Sequence, residues 1–89
     1  METNQETKIA LIGIIVEDTK SVERVNQLLH DHAQYIVGRM GLPYREKGVH
    51  IISVVIDAPD TVISSLSGKL GMLEGISVKS IQTKTKNKK

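Results

Sequence analysis

Eighty-nine residues make one domain, and a domain of this size buries only about 60 to 65% of the surface its unfolded chain exposes. Cysteine is absent, which excludes disulfides, thiolate metal sites and cysteine nucleophiles and gives no sign of an oxidising compartment. The net charge of +2 comes from Lys84, Lys86, Lys88 and Lys89; residues 1–83 carry eight Lys and Arg against ten Asp and Glu, a net of −2, which argues against a broad basic footprint for nucleic acid.

Residues 1–7 are polar and read as a flexible start, too polar for a signal peptide. No apolar run approaches the roughly 20 residues of a membrane span, so a cytoplasmic protein is expected. Lys8 to Val16 follow as an apolar run of strand length. Gly13 in its middle weakens the strand but lets another backbone or side chain come close, as on a packed face.

Glu17, Asp18 and Thr19 supply capping oxygens and the negative charge favoured at a helix start. The spacing of Val22, Val25, Leu28, Leu29 and Ala33 predicts a helix through Ala33 with one apolar stripe. Gln34 to Met40 is the next expected strand, with Tyr35, Val37 and Arg39 on one side and Ile36, Gly38 and Met40 on the other. Its polar and glycine-bearing composition suits an edge.

A loop is expected over Gly41 to Gly48, turning the chain into a strand over Val49 to Ile56. Val49, Ile51, Ser53 and Val55 form one face of that strand, and His50, Ile52, Val54 and Ile56 the other. Both faces are mostly apolar, so the strand belongs in the middle of a sheet. Asp57-Ala58-Pro59-Asp60 signals entry to a second helix running to about Leu70, with Gly71 as its C-terminal cap. Ile76 to Thr83 closes the domain as a second edge strand, and residues 84–89 read as a basic flexible tail.

The order β-α-β-β-α-β predicts an α+β, ferredoxin-like sandwich over residues 8–83: a four-stranded antiparallel sheet with two helices on one face. Right-handed crossovers place the first and third strands in the centre, and these are the two that are apolar on both sides. The face without helices is then too apolar for a soluble monomer. A homo-oligomer, a dimer or tetramer packed through that face, is expected.

Arg39, Gly41, Pro43, Tyr44, Arg45 and Lys47 cluster around the expected loop. Guanidinium groups beside a tyrosine and glycine-freed amides suit a carboxylate, a phosphate or a partner's acidic surface. The alternative is an ordinary solvated hairpin tip. His30 and His32 point about 200° apart on a helix and cannot chelate one ion together. His50, on a strand, is the one histidine placed to meet another from a second subunit, so it is the candidate if any metal is bound; no cofactor is expected. No G-x-S-x-G, P-loop or G-x-G-x-x-G pattern occurs, so no catalytic residues are assigned. Phe and Trp are absent, which removes the base-stacking platform of a sheet-face RNA binder.

The segments Ile36-Val-Gly-Arg-Met-Gly-Leu-Pro-Tyr-Arg-Glu-Lys-Gly-Val49, Ile51-Ile-Ser-Val-Val-Ile-Asp-Ala-Pro59 and Leu66-Ser-Gly-Lys-Leu-Gly-Met72 resemble the family named for regulation of the iron-only hydrogenase system. That family is similar to ACT domains and to the C-terminal domain of nickel-responsive repressors. The resemblance implies a regulator that assembles through its sheets and senses a ligand or binds a protein partner. A metal-responsive module using nickel or iron at interface histidines is the alternative, and a small enzyme the second. ACT amino-acid sites favour a glycine in the loop after the first strand, where this chain has Glu17-Asp18-Thr19. The nickel site uses several histidines and a cysteine, and only His50 stands in a comparable place. The repressors carry an N-terminal DNA-binding segment, for which seven polar residues are too few, so no direct specific nucleic-acid binding is expected.

Overall fold

A computed structural model of the chain describes residues 6–83. Six main elements follow in order: β1 (Lys8–Val16), α1 (Val22–Asp31), β2 (Ile36–Tyr44), β3 (Val49–Ala58), α2 (Asp60–Gly71) and β4 (Ile76–Gln82). They form the ferredoxin-like arrangement: one sheet of order β2-β3-β1-β4, antiparallel at every pairing. The two strands that are apolar on both faces occupy the centre, as their composition requires.

The core is the helix-side face of the central strands. Ala10, Ile12, Ile14 and Val16 of β1 and Ile52, Val54, Ile56 and Ala58 of β3 are buried there. Val25, Leu28 and Leu29 of α1 and Ile63, Leu66 and Leu70 of α2 close over them. The apolar stripes lie three and four residues apart, so each helix turns one side to the sheet and leaves the other to solvent.

Several boundaries differ from those expected. The first helix is split, because Asp18 accepts from the Lys20 amide at 3.0 Å and caps a 3-10 turn at Thr19–Ser21 before α1 begins. It also stops at Asp31. His32 leaves helical geometry, its Nδ1–H donating to the Leu28 carbonyl at 2.8 Å, and a second 3-10 turn occupies Ala33–Tyr35. Gly71 lies inside α2, whose cap residue is Met72. The left-handed backbone falls instead at Gly75, with φ +67°.

The largest correction concerns the hairpin. Gly41 to Tyr44 do not loop; they continue β2, paired with Ile52, Ile51, His50 and Val49 in turn. Pro43 is tolerated because β2 is an edge strand with one unpaired side. A bulge between Ile36 and Gly38 also changes the facing: Ile36 pairs with Ile56 and Arg39 with Val54, so both lie on the helix side. Gly38 and Met40 lie on the open side.

The connection after β1 is fastened to the connection before β4. The Glu17 amide donates to the Gly75 carbonyl at 2.7 Å, and Ser21 Oγ donates to the Glu74 carbonyl at 2.8 Å. A Cβ at Gly75 would lie 2.5 Å from Asp18 Cβ and 2.9 Å from its nitrogen, so glycine is required there by space as well as by φ.

The face opposite the helices is formed by cross-strand rows. Val55, Leu11 and Ile81 make one row with Gly38; Met40, Ser53, Gly13 and Lys79 make the next; Leu42, Ile51, Ile15 and Ser77 the third. Tyr44 and Val49 continue it towards the hairpin tip. Leu11 and Ile15 are each 42% exposed although they sit on a central strand. Residues 1–5 and 84–89, which the sequence assigns to a flexible start and a basic tail, lie outside the described residues. Among the described residues no helix is long and apolar enough to cross a membrane.

Candidate functional site

The β2–β3 hairpin closes through a turn at Arg45–Gly48. The Lys47 amide donates to the Tyr44 carbonyl at 3.3 Å and the Gly48 amide to the Arg45 carbonyl at 3.1 Å. Gly48 takes φ +67°, a conformation glycine adopts without the Cβ penalty. Tyr44 Oη donates to Glu46 Oε1 at 3.0 Å. This bond holds the glutamate against the phenol within the tip.

An open cleft lies at the tip, where the hairpin passes the connection between β1 and α1. Thr19 contributes from that connection, Pro43 and Tyr44 from the hairpin's first arm, Arg45 and Gly48 from its turn, and Val49 and His50 from its second arm. His50 is half-buried, and its Nδ1 is buried with no hydrogen-bond partner among the described residues. A buried imidazole nitrogen without a partner is costly. Arg45 supplies positive charge at the rim, and no Asp or Glu lines the cleft.

The six residues predicted around the tip are only partly brought together. Pro43, Tyr44 and Arg45 line the cleft. Lys47 sits in the turn, and Gly41 stands two positions before Pro43, opposite Ile52. Arg39 is directed elsewhere, its Nη2 donating to Asn26 Oδ1 on α1 at 2.9 Å. Thr19 was not among the sequence candidates. Its place depends on the β1–α1 connection passing the hairpin, which no local pattern records.

The histidines stay apart. His30 is exposed on α1, His32 is tied to its own helix, and His50 lies on the helix side of β3, away from the open sheet face. Among the described residues no three His, Asp or Glu side chains converge. A second, apolar depression lies on the open face, where Gly13 leaves a trough between Ile15, Ile51, Ser53, Ser77 and Lys79.

Residues 8–80 match the family model TM1266-like, whose description is "Iron-only hydrogenase system regulator, putative". The chain belongs to this family. Among solved structures it is similar to the uncharacterized protein TM1266 from Thermotoga maritima, with 36% identity, a TM-score of 0.85, and coverage of 89% of this chain and 100% of that one. No curated protein matches the chain.

Proposed function

We propose that this protein is a regulatory module of the iron-only hydrogenase system: an oligomeric, ACT-like unit that senses a ligand or binds a protein partner. The regulatory role follows the description of its family. The assembly rests on one observation, the apolar rows of the open sheet face, with Leu11 and Ile15 each 42%, Leu42 53% and Met40 65% exposed.

A second copy of the chain is the occupant that best fits this face. Four strands of seven to ten residues, spaced about 4.8 Å apart and rising about 3.3 Å per residue, present roughly 550 Å² in projection before side-chain relief is counted. That is comparable in scale to the roughly 800 Å² per partner of a standard interface. Gly13, exposed in the middle of a central strand, would meet only the Lys79 carbonyl oxygen at 3.9 Å if it carried a Cβ. Its lack of a side chain therefore serves close approach from outside rather than packing within the chain.

The tip cleft is the proposed recognition surface. Arg45 at the rim, with no Asp or Glu in the lining, favours a small ligand or peptide group carrying a carboxylate or phosphate. A metal fits the same cleft poorly, because it offers one imidazole, no carboxylate and a nearby cation. The proposal involves no chemical step.

Mass measurement in solution tests the assembly. The wild-type chain is expected to be larger than a monomer, and Ile15→Asp is expected to reduce the mass while the far-UV spectrum stays unchanged. A monomeric wild type removes the assembly from the proposal. Thermal-shift titration with amino acids, inorganic phosphate and nickel or iron tests the cleft. Stabilisation by an anion and its loss in Arg45→Ala supports the reading; tight stoichiometric metal binding lost in His50→Ala overturns it in favour of the metal-responsive alternative.

A further inference from the structure

The trough on the open face is roomier than packing within the chain requires. Its floor is Gly13 on the central strand β1, with Ser53 of β3 on one side and Lys79 of β4 on the other, in one cross-strand row. Ile51, Ile15 and Ser77, from the next row, form its wall. The volume is about 370 Å³, at the lower end of the range for small-molecule sites. Nothing inside the chain accounts for the glycine: its φ is not positive, and a Cβ would meet only the Lys79 carbonyl oxygen, at 3.9 Å. Alanine would fit there and would weaken the strand less.

The trough is apolar along its wall and charged at one end. From β3 to β4 it crosses two strand spacings, about 10 Å, starting at Ile51 and Ser53 and ending at Lys79. Lys79 is the one charged side chain in the three cross-strand rows of this face, and among the described residues it makes no ion pair. Ser77, two positions before it and on the same side of β4, adds a hydroxyl donor. No Asp or Glu lines the trough, so the ammonium has no counter-charge within it.

We propose that the trough binds a small aliphatic carboxylate, with its hydrocarbon chain over Gly13 against Ile15 and Ile51 and its carboxylate on the Lys79 ammonium. Burial of the chain supplies an attraction proportional to its apolar area, and the carboxylate supplies a charge-assisted hydrogen bond. The same groups select against close relatives of the ligand. An alcohol of equal length gives up the charge. An α-amino acid of equal length brings a second ammonium beside Lys79, with no carboxylate in the lining to take it, and an unpaired charge of that kind is what discriminates between similar ligands.

One chain supplies every group of this site. The proposal therefore rests neither on the assembly through the sheet face nor on the tip cleft, whose cation is Arg45.

Calorimetric titration with hexanoate, hexan-1-ol, norleucine and hexylamine tests the site, and methyl NMR of the isoleucines locates it. Hexanoate is expected to bind the wild-type chain at least tenfold more tightly than the other three and to shift the methyl signals of Ile15 and Ile51 but not of Ile63, which is buried under α2. Gly13→Val, which sets a side chain of high strand propensity on the trough floor, is expected to abolish binding with the far-UV spectrum unchanged. Lys79→Glu is expected to weaken hexanoate and strengthen hexylamine, each at least tenfold, a reversal that loss of the fold cannot produce. No saturable binding of hexanoate to the wild type, or equal binding of hexan-1-ol, overturns the proposal. Loss of hexanoate binding with Arg45→Ala but not with Lys79→Glu assigns the carboxylate to the tip cleft and likewise overturns it. Mass measured on the same samples keeps the assembly separate: a monomer that binds hexanoate supports the site and removes the assembly, whereas an oligomer that does not bind it overturns the site alone.

Discussion

Arg39 on β2 donates from Nη2 to Oδ1 of Asn26 on α1, 2.9 Å away, and this bond carries its guanidinium to the helix side instead of the hairpin tip. Arg39 and Arg45 are therefore not two arms of one anion clamp. Arg39→Ala is expected to cost about 0.5 to 1 kcal/mol, the range of an exposed hydrogen bond, and to leave anion affinity at the cleft unchanged. Arg45→Ala is expected to leave stability within about 0.5 kcal/mol and to weaken that affinity about tenfold or more. Urea denaturation and titration of both variants and the double variant check this; a double variant much weaker than Arg45→Ala alone contradicts the separation.

Gly48 and Gly75 share a φ of +67° but differ in surroundings. A Cβ on Gly48 meets open space, whereas one on Gly75 would lie 2.5 Å from Asp18 Cβ. Gly48→Ala is expected to cost about 1 to 2 kcal/mol for the left-handed conformation alone. Gly75→Ala adds a clash that must displace the β1–α1 connection, so its loss is expected to exceed that of Gly48→Ala by about 1 to 3 kcal/mol. Equal midpoints in chemical denaturation would show that the connection yields freely.

Burial separates two leucines of similar chemistry. Leu66 is fully buried between α2 and the sheet, while Leu11 is 42% exposed on the open face. Leu66→Ala is expected to cost about 2 to 5 kcal/mol and to lower the melting temperature at every protein concentration. Leu11→Ala is expected to cost less in the isolated subunit and to act through association, so its effect should grow with protein concentration. Melting curves over a hundredfold concentration range decide between the two modes.

Ser21 ties the two connections together through its bond to the Glu74 carbonyl, and only 8% of the residue is exposed. Ser21→Ala leaves that carbonyl without the hydroxyl and is expected to cost about 1 to 2 kcal/mol. Ser21→Thr, which keeps the donor, is expected to recover about half or more of the loss. Differential scanning calorimetry of the pair checks it, and equal destabilisation by both would point to packing instead.

The order of elements, the central placement of β1 and β3 and the helix stripes that meet the sheet were determined by the sequence alone. The apolar runs Lys8–Val16 and Val49–Ile56 and the helical spacing of Val25, Leu28, Leu29, Ile63, Leu66 and Leu70 are local patterns that need only burial to become a sandwich. The hairpin was not legible in the same way. Glycine and proline at 41 and 43 carry loop propensity, yet ten residues of β3 offered a paired backbone that extended β2 to Tyr44, and cross-strand bonds outweigh a weak local preference. Tertiary structure alone also decided which way Arg39 turns, because one extra residue at the Val37 bulge reverses facing along the strand. It likewise brought Thr19 to His50 and Asp18 against Gly75, since contacts between segments distant in sequence form only when the sheet has closed.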